Sequence, residues 1–323
     1  MLTPLTQYAR LGLVHHMLYP DCGEYPADHV RTLKALATRR DMETFDCCLP
    51  YDPAARAELI PALCACGKAD ITFATHFFPL RKISFCSTSL PEQAQARMIV
   101  QDMVEQAAAI GATGFIFASG GPSPADATPA HRTMFRDFCR WLCAELRPHG
   151  IMAMLEPFDM TVDKKFLYGP TAECVALIES LAPEIGNLGI ELDVAHLPLM
   201  GESFEHAIRV AAPHLKRVHL GNCVLRDTSH PRYGDTHPPA GFPGGEIDVP
   251  EMVEILRLLL DVGFLNKRRR GNLVIEMTPW PGKNVEETIA DSLKRLQEAW
   301  QQVKADAECP DHRENPTRSC APG

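Results

Sequence analysis

The sequence predicts an α/β fold, a single-domain (β/α)8 TIM barrel. Eight short apolar runs alternate with eight helix-like stretches along the chain, and four of the later runs end in a carboxylate or an imidazole. A strand followed by a helix, repeated eight times, is the repeat of this barrel. A doubly wound sheet is the alternative, but its sites gather at one switch point rather than at four successive strand ends.

The predicted elements follow from apolar runs and from helical periodicity. The strands are 11–16, 42–48, 71–78, 113–119, 151–156, 188–194, 215–220 and 272–277. The helices are 27–39, 53–66, 91–109, 129–147, 171–182, 203–211, 250–261 and 284–303. We expect the barrel to occupy residues 1–304. The remainder, 305–323, is polar and broken by prolines, which predicts a disordered tail.

Composition narrows the class of protein. The chain has 323 residues, 46% of them hydrophobic, and a net charge of −9, which disfavours binding to a nucleic-acid backbone. No apolar run approaches the roughly 18–20 residues that cross a bilayer, and the N-terminus lacks a signal-peptide layout. The 12 cysteines show no zinc-type or redox-pair spacing. We therefore expect a cytoplasmic enzyme with no nucleic-acid or membrane partner.

Four residues at strand ends form the strongest functional pattern. Glu156, Asp193, His219 and Glu276 each stand at or near the end of a predicted strand. In a parallel barrel these ends share one face, where active sites are built. Three carboxylates and one imidazole predict a site for Mn²⁺, with Mg²⁺, Co²⁺ and Zn²⁺ as alternatives. Such an ion activates a hydroxy-ketone, which favours isomerisation, epimerisation or elimination beside a carbonyl.

A long loop, residues 222–248, separates the last two strands. It is rich in Pro and Gly and contains His230, Tyr233, His237 and Phe242. Long loops inside a compact domain are usually functional, so we expect this one to border the substrate site. His237 is a candidate catalytic group, because a histidine transfers protons near neutral pH. Asn222, at the start of the loop, is a candidate substrate-binding residue.

Five motifs carry a family resemblance: LEPFD (155–159), ELDVAH (191–196), RVHLGN (217–222), PGGEID (243–248) and VIEM (274–277). They resemble the xylose-isomerase-like barrel superfamily of sugar-phosphate isomerases and epimerases, over about residues 10–303. The resemblance implies that Glu156, Asp193, His219 and Glu276 bind the metal. It also implies that His196 contacts the substrate, and that Glu156 and Glu276 are the acid/base pair of an epimerase that works through an enediolate.

The long loop is also similar to that of the large subunits of C-glycoside deglycosidases. That likeness implies a Mn²⁺-dependent lyase that cleaves the C–C bond of 3-oxo-glucosides together with a small β-rich partner subunit. Otherwise we expect a homo-oligomer acting on a small sugar. Lys164 and Lys165 follow Glu156 closely in the sequence, and Lys165 is the candidate for contact with a substrate oxygen.

Endonuclease IV belongs to the same superfamily and is a minor alternative. His196, Asp235 and His237 resemble the third-metal set of that nuclease, and His76 matches a ligand on the third strand. However, Ser119 stands where a histidine ligand is expected on the fourth strand. That departure and the acidic charge argue against cleavage of abasic DNA.

Overall fold

The computed structural model describes residues 4–23, 26–73 and 83–308. Eight strands form a closed parallel barrel in which each strand pairs with the next and the last pairs with the first. In chain order, β1 to β8 are Ala9–Val14, Thr44–Cys47, Ala69–Thr72, Gly114–Phe117, Met152–Leu155, Leu188–Asp193, Leu215–Leu220 and Gly271–Ile275. The predicted fold class is confirmed.

Helices connect successive strands and pack around the barrel. In chain order, α1 to α10 are His15–Leu18, Pro26–Thr38, Pro53–Cys66, Leu90–Ile110, Pro129–Leu146, Thr171–Leu181, His196–Met200, Phe204–Ala211, Val249–Asp261 and Val285–Glu308. Short 3-10 turns occupy Leu5–Gln7, Pro20–Gly23 and Arg147–His149. Across the described ranges, no helix combines the length and the apolar character needed to cross a bilayer.

Local sequence signals place several helix ends. Asp52 caps α3 by accepting a hydrogen bond from the Ala55 N–H, and Gly67 ends the helix with a left-handed φ of 61°. Asp248 and Glu251 form a reciprocal capping box at the start of α9. This box ends the long loop and fixes the start of α9.

Many element boundaries differ from the predicted ones by one or two residues, and the following differences bear on the site or the tail. Strand β1 stops at Val14, the last residue paired with β2, so the predicted strand residues His15 and His16 begin α1 instead. Strand β3 spans Ala69–Thr72, and His76 lies outside the described residues. Helix α10 extends to Glu308, so the first residues of the predicted tail are helical.

The interior of the barrel contains a buried cluster of salt-bridged side chains beneath the carboxyl ends of the strands. Arg217 on β7 pairs with Asp46 on β2 and Asp70 on β3, and all three are buried. Buried charges are tolerated only when they are paired. Side chains two apart on a strand share a face, so Arg217 and His219 both point inward, with Arg217 one layer deeper.

Candidate metal centre

The four predicted ligands meet at one end of the barrel. Asp193 ends β6 and His219 lies on β7, whereas Glu156 and Glu276 directly follow β5 and β8. All four side chains are buried. The ligand atoms of Asp193, His219 and Glu276 lie within 4.8 Å of one another, and those of Glu156 and His219 satisfy the same limit. The strand ends thus bring three carboxylates around one imidazole.

Two carboxylates fix the orientation of the His219 ring. Its Nε2 lies 2.8 Å from Asp46 Oδ2, and its Nδ1 lies 2.5 Å from Glu276 Oε2. With the Nε2 proton donated to Asp46, Nδ1 is the nitrogen that faces the ligand carboxylates. A carboxylate behind a ligating histidine is a common feature of metal sites, because it fixes the tautomer and raises the basicity of the ligand. Sequence reasoning missed Asp46, which lies inside β2 rather than at its end.

A further carboxyl group, Glu191, lies below the four ligands on β6. Its Oε1 accepts a hydrogen bond from the His219 backbone N–H at 3.1 Å, and its Oε2 has no hydrogen-bond partner among the described residues. Burial raises the pKa of Glu191 to about 8, although His219 opposes the shift. Glu191 shares its inward face with Asp193, two residues later, and that spacing was the signal in the sequence.

The electrostatics of the cluster fit a cation. Burial, helped by Glu191, raises the pKa of Glu156 well above its ordinary value. Burial alone would lower the pKa of His219, but Glu191 and Glu276 raise it to about 10. Without an ion, Glu156 and Glu191 therefore hold protons, whereas the charged imidazoles of His237 and His219 outweigh burial and keep the pKa of Glu276 well below its ordinary value. A divalent cation supplies the same compensating charge, and the oxygen-rich donor set with one imidazole suits Mn²⁺ or Mg²⁺.

The long loop adds a second group of ligand-type residues. His237 Nε2 lies 2.7 Å from Asp193 Oδ2, and His237 Nδ1 lies 3.1 Å from Asp235 Oδ1. His196 Nε2 lies 3.3 Å from the same Asp235 oxygen, without the geometry of a hydrogen bond. His237 has a left-handed φ of 47°, which turns its ring into the site. Asp193, His196 and His237 could hold a second ion, since their ligand atoms lie within 4.8 Å of one another.

Charges within this group support each other. The pKa of His237 is raised to about 10 because the nearby carboxylates, Asp235 first, outweigh burial. The pKa of His196 is raised to about 9 in the same way. Burial would raise the pKa of Asp235, but His237, His196 and Lys164 lower it well below its ordinary value. In the metal-free protein, His237 is therefore a charged hydrogen-bond donor at neutral pH.

A cavity of about 460 Å³ opens over these groups. Glu156, His219 and Glu276 line its base, and the loop contributes Asp235 and His237. Apolar side chains form the walls: Met17, Phe73, Phe158 and Phe166. The volume and the mixture of apolar walls with a few polar groups are typical of a site for a small molecule.

Comparison with known protein sequences identifies the family of the chain. Residues 42–299 match the sequence model of the xylose isomerase-like TIM barrel. The chain belongs to this family. A comparison with curated protein sequences gives no match.

Solved structures share this family's fold over almost the whole chain. A D-tagatose 3-epimerase-like protein superposes with a TM-score of 0.66 at 15% identity, covering 92% of this chain and 99% of its own. The apo form of the 3-keto-D-glucoside 4-epimerase of E. coli gives a TM-score of 0.61 at 14% identity, covering 89% and 98%. The D-allulose 3-epimerase of Methylomonas sp. in complex with D-allulose gives 0.61 at 15% identity, covering 92% and 97%. At these identities the likeness shows the fold alone.

This member of the xylose isomerase-like family presents Lys164, rather than the predicted Lys165, to the cavity. Lys165 has a left-handed φ of 53° and is exposed. Lys164 lines the cavity, and its Nζ lies 3.0 Å from Asp235 Oδ2 and 3.0 Å from Asp163 Oδ2. The backbone reversal between two adjacent lysines decides which of them faces the site, and the sequence carries no signal for it.

Asn222, the predicted substrate-binding residue, holds the loop together. Its Oδ1 accepts hydrogen bonds from the backbone N–H groups of Cys223, Glu246 and Ile247, and its Nδ2 donates to the Pro239 carbonyl. The side chain is fully buried and lies outside the cavity lining. These contacts favour a structural role that ties the two ends of the loop together.

Of the two strand-end ligands that endonuclease IV would require, one position can be compared with this family member. The hydroxyl of Ser119 donates to the Gly120 carbonyl and accepts from the Tyr168 N–H, so it is engaged away from the metal ligands. The other position, His76, falls in the part of the chain that is not described.

The aromatic and imidazole rings of the long loop were predicted to border the substrate. Of these rings, His237 alone lines the cavity. His230 and Phe242 instead pack against each other edge-on, with ring centroids 6.0 Å apart.

Proposed function

We propose that the protein is a divalent-metal-dependent epimerase or isomerase that acts on a ketose or keto-sugar. The observation that carries this proposal is the cluster of Asp193, His219 and Glu276, with Glu156 beside His219, beneath a sugar-sized cavity that Glu156, His219 and Glu276 line. Structures of similar fold are named for D-tagatose and D-allulose 3-epimerases, which supports a small ketose as substrate.

Glu156, Asp193, His219 and Glu276 would hold the ion, with Mn²⁺ as the expected metal. When bound, such an ion polarises a carbonyl group and acidifies the adjacent C–H bond. Asp46 holds His219 in the ligating orientation. Glu191 lies deeper, outside the cavity lining, and adjusts the charge of the cluster by holding or losing its proton.

The acid/base step belongs to Glu156 and Glu276. Both line the cavity, and they stand on β5 and β8, three strands apart. A sugar bound between them presents a different face to each carboxylate. One carboxylate removes the proton from the carbon beside the carbonyl, which leaves a planar enediolate, and the other returns a proton to the opposite face. Inversion at that carbon follows.

Other cavity residues bind and orient the sugar. Lys164 and His237 present N–H donors that suit hydroxyl and carbonyl oxygens. His196 lies beneath them, with its Nδ1 2.9 Å from the Pro157 carbonyl and its ring 4.1 Å from the ring of Phe158. The phenylalanine walls exclude water around the reacting carbons, which protects the enediolate from side reactions.

A lyase acting on 3-oxo-glucosides is the second candidate. The observation in its favour is the pair Asp235 and His237, which the long loop delivers beside the carboxylates. Cleavage of a sugar–aglycone C–C bond requires a proton at the aglycone carbon, and a charged His237 supplies one. One structure of similar fold is named for a 3-keto-D-glucoside 4-epimerase, which supports a keto-glucoside as substrate for either reaction. A small β-rich partner subunit belongs to this candidate, and a homo-oligomer to the first.

A single substrate panel tests both reactions. Mn²⁺-loaded protein is incubated in D₂O with free ketohexoses and, separately, with a 3-oxo-C-glucoside, and the products are followed by NMR. We expect solvent deuterium at the epimerised carbon of a ketose or keto-glucoside, whereas release of the aglycone would identify the lyase. Epimerisation with complete retention of the substrate hydrogen would exclude the proton-transfer mechanism.

Ligand variants test the metal dependence. Glu156→Gln and Asp193→Asn are expected to fold, to lose bound Mn²⁺ and to lose activity. Asp163→Asn, which also lines the cavity but is no proposed ligand, is the matched control and should keep the metal. Full metal occupancy in both ligand variants, measured by elemental analysis, would refute the assignment.

A further inference from the structure

A separate cluster of metal-ligand residues, away from the sugar cavity, lies in the connection between β1 and α2. His15 begins α1, Cys22 lies in the 3-10 turn Pro20–Gly23, and His29 lies in the second turn of α2. One ligand atom from each lies within 4.8 Å of the others, and all three side chains are buried. The set contains no carboxylate and shares no residue with the centre built from Glu156, Asp193, His219 and Glu276.

Hydrogen bonds fix the tautomer of both imidazoles. The Thr32 hydroxyl donates to the Asp28 carbonyl at 2.7 Å, so its oxygen accepts from His15 Nε2 at 2.8 Å. The Cys48 carbonyl accepts from His29 Nε2 at 2.9 Å. Each ring therefore carries its proton on Nε2 and a lone pair on Nδ1. This is the arrangement found behind ligating histidines, whose other nitrogen donates to an oxygen acceptor.

The unpaired nitrogen is the observation that points to a ligand. His15 Nδ1 is fully buried and has no hydrogen-bond partner among the described residues. A buried nitrogen lone pair without a donor is costly and uncommon, and it calls for an unseen partner. The His15 and His29 rings stack at 5.2 Å with an interplanar angle of 9°, so both rings are already ordered.

We propose that His15, Cys22 and His29 bind a transition-metal ion of the zinc type. Two imidazoles and one thiolate form a borderline-soft donor set, which selects Zn²⁺ over the hard ions that suit the carboxylate-rich centre. Burial lowers the pKa of both histidines, which keeps them neutral as ligation requires. Burial also raises the pKa of Cys22 to about 11, so the ion displaces the thiol proton when it binds.

The surroundings supply a route and a role for this ion. A cavity of about 290 Å³ is lined by Cys22 and Thr32, so solvent approaches the thiol side of the proposed site. His16 and Met17 follow His15 in the chain and line the sugar cavity. The ion would therefore link α1, the turn and α2, and it would fix one wall of the sugar cavity.

Cobalt distinguishes this site from the carboxylate-rich one. Metal-free protein is titrated with Co²⁺ and followed by absorption spectroscopy. When enough Co²⁺ has been added to fill both centres, we expect a thiolate-to-cobalt charge-transfer band, which a centre without cysteine does not give. The band should persist in Glu156→Gln and in the control Cys64→Ser, whose thiol is exposed, and it should disappear in Cys22→Ser. Absence of the band in the wild type, or its survival in Cys22→Ser, would overturn the proposal.

A second measurement does not depend on how the variants fold. Wild-type protein is treated with iodoacetamide with and without one equivalent of Zn²⁺, after its carboxylate-rich centre has been saturated with Mn²⁺. Zinc is expected to slow the alkylation of Cys22 at least tenfold and to leave Cys64 unchanged, as measured by peptide mass spectrometry. Equal rates at Cys22 would overturn the proposal, whatever reaction the enzyme catalyses.

Discussion

Asp46 illustrates how a residue one layer behind the candidate ligands would contribute to the proposed metal centre. Its two carboxylate oxygens serve different partners, because Oδ1 pairs with Arg217 and Oδ2 accepts from His219 Nε2. Rotation of His219 would break the second contact and leave Asp46 Oδ2 without its hydrogen-bond donor. The orientation of the imidazole is therefore coupled to the buried charge below it.

The first residue-scale prediction follows from that coupling. Asp46→Asn keeps the shape but removes the charge that holds the Nε2 proton of His219, so Mn²⁺ affinity is expected to fall about 10–100-fold. Isothermal titration measures it. Asp41→Asn, a surface change in the salt bridge with Arg39, is the control and should bind Mn²⁺ normally. An unchanged affinity in Asp46→Asn would remove Asp46 from the metal centre.

The second residue-scale prediction concerns His237. His237→Ala removes a charged donor from the cavity, and turnover on whichever substrate is active should fall about 10²–10⁴-fold if the histidine transfers a proton. The Mn²⁺ content should stay unchanged, because His237 is outside the proposed four-ligand set. His230→Ala, in the same loop but outside the cavity, is the matched control. Wild-type turnover in His237→Ala would leave the histidine without a catalytic role.

At the scale of elements, the long loop acts as one ordered unit. An isolated antiparallel bridge joins Val224 to Gly234, and Asn222 ties the beginning of the loop to Pro239 and Ile247. These bonds place His237 against the carboxylates without help from a regular helix or strand. The loop is therefore positioned before the substrate arrives.

The loop prediction is about stability. Asn222→Ala leaves the N–H groups of Cys223 and Ile247 unpaired, because the Glu246 N–H and the Pro239 carbonyl keep other backbone partners. Each unpaired buried group costs about 1–3 kcal/mol when it finds no other partner. We expect the free energy of unfolding to fall by about 2–4 kcal/mol and proteolysis within 222–248 to become faster. Ser229→Ala, at an exposed position of the same loop, is the control and should change little. Chemical denaturation gives the comparison, and equal stabilities would contradict the assigned role.

Elements were easier to predict from the sequence than the contacts between them. The eight apolar runs identified the eight described strands, and four strand-end side chains predicted the candidate ligands that the barrel brings together, because both follow from local pattern. Asp46 and Glu191 lie within strands, so only the closed barrel shows that they reach His219. The choice of Lys164 over Lys165 depends on one positive φ, which has no signature in an ordinary residue.

For the whole molecule, metal binding is linked to pH. The pKa of His219 is raised to about 10 and that of Glu191 to about 8, so the metal-free protein holds extra protons at neutral pH. An ion must displace protons that lie in its place, and its affinity therefore falls as the pH falls. We expect about a tenfold loss per pH unit for each proton released. Addition of Mn²⁺ to weakly buffered protein near pH 7 should acidify the solution, and a constant pH would contradict this linkage.

Among the described residues, the buried salt bridges of Arg217 with Asp46 and Asp70 lie below the site, so the proposed ion and the sugar would both enter through the cavity above it. An ion at the base must arrive before the sugar that covers it, and it can depart only after the product has left. Binding is then compulsorily ordered. A saturating, slowly turned-over sugar should protect the loaded enzyme against inactivation by a chelator, and the protection should vanish when the sugar is washed away.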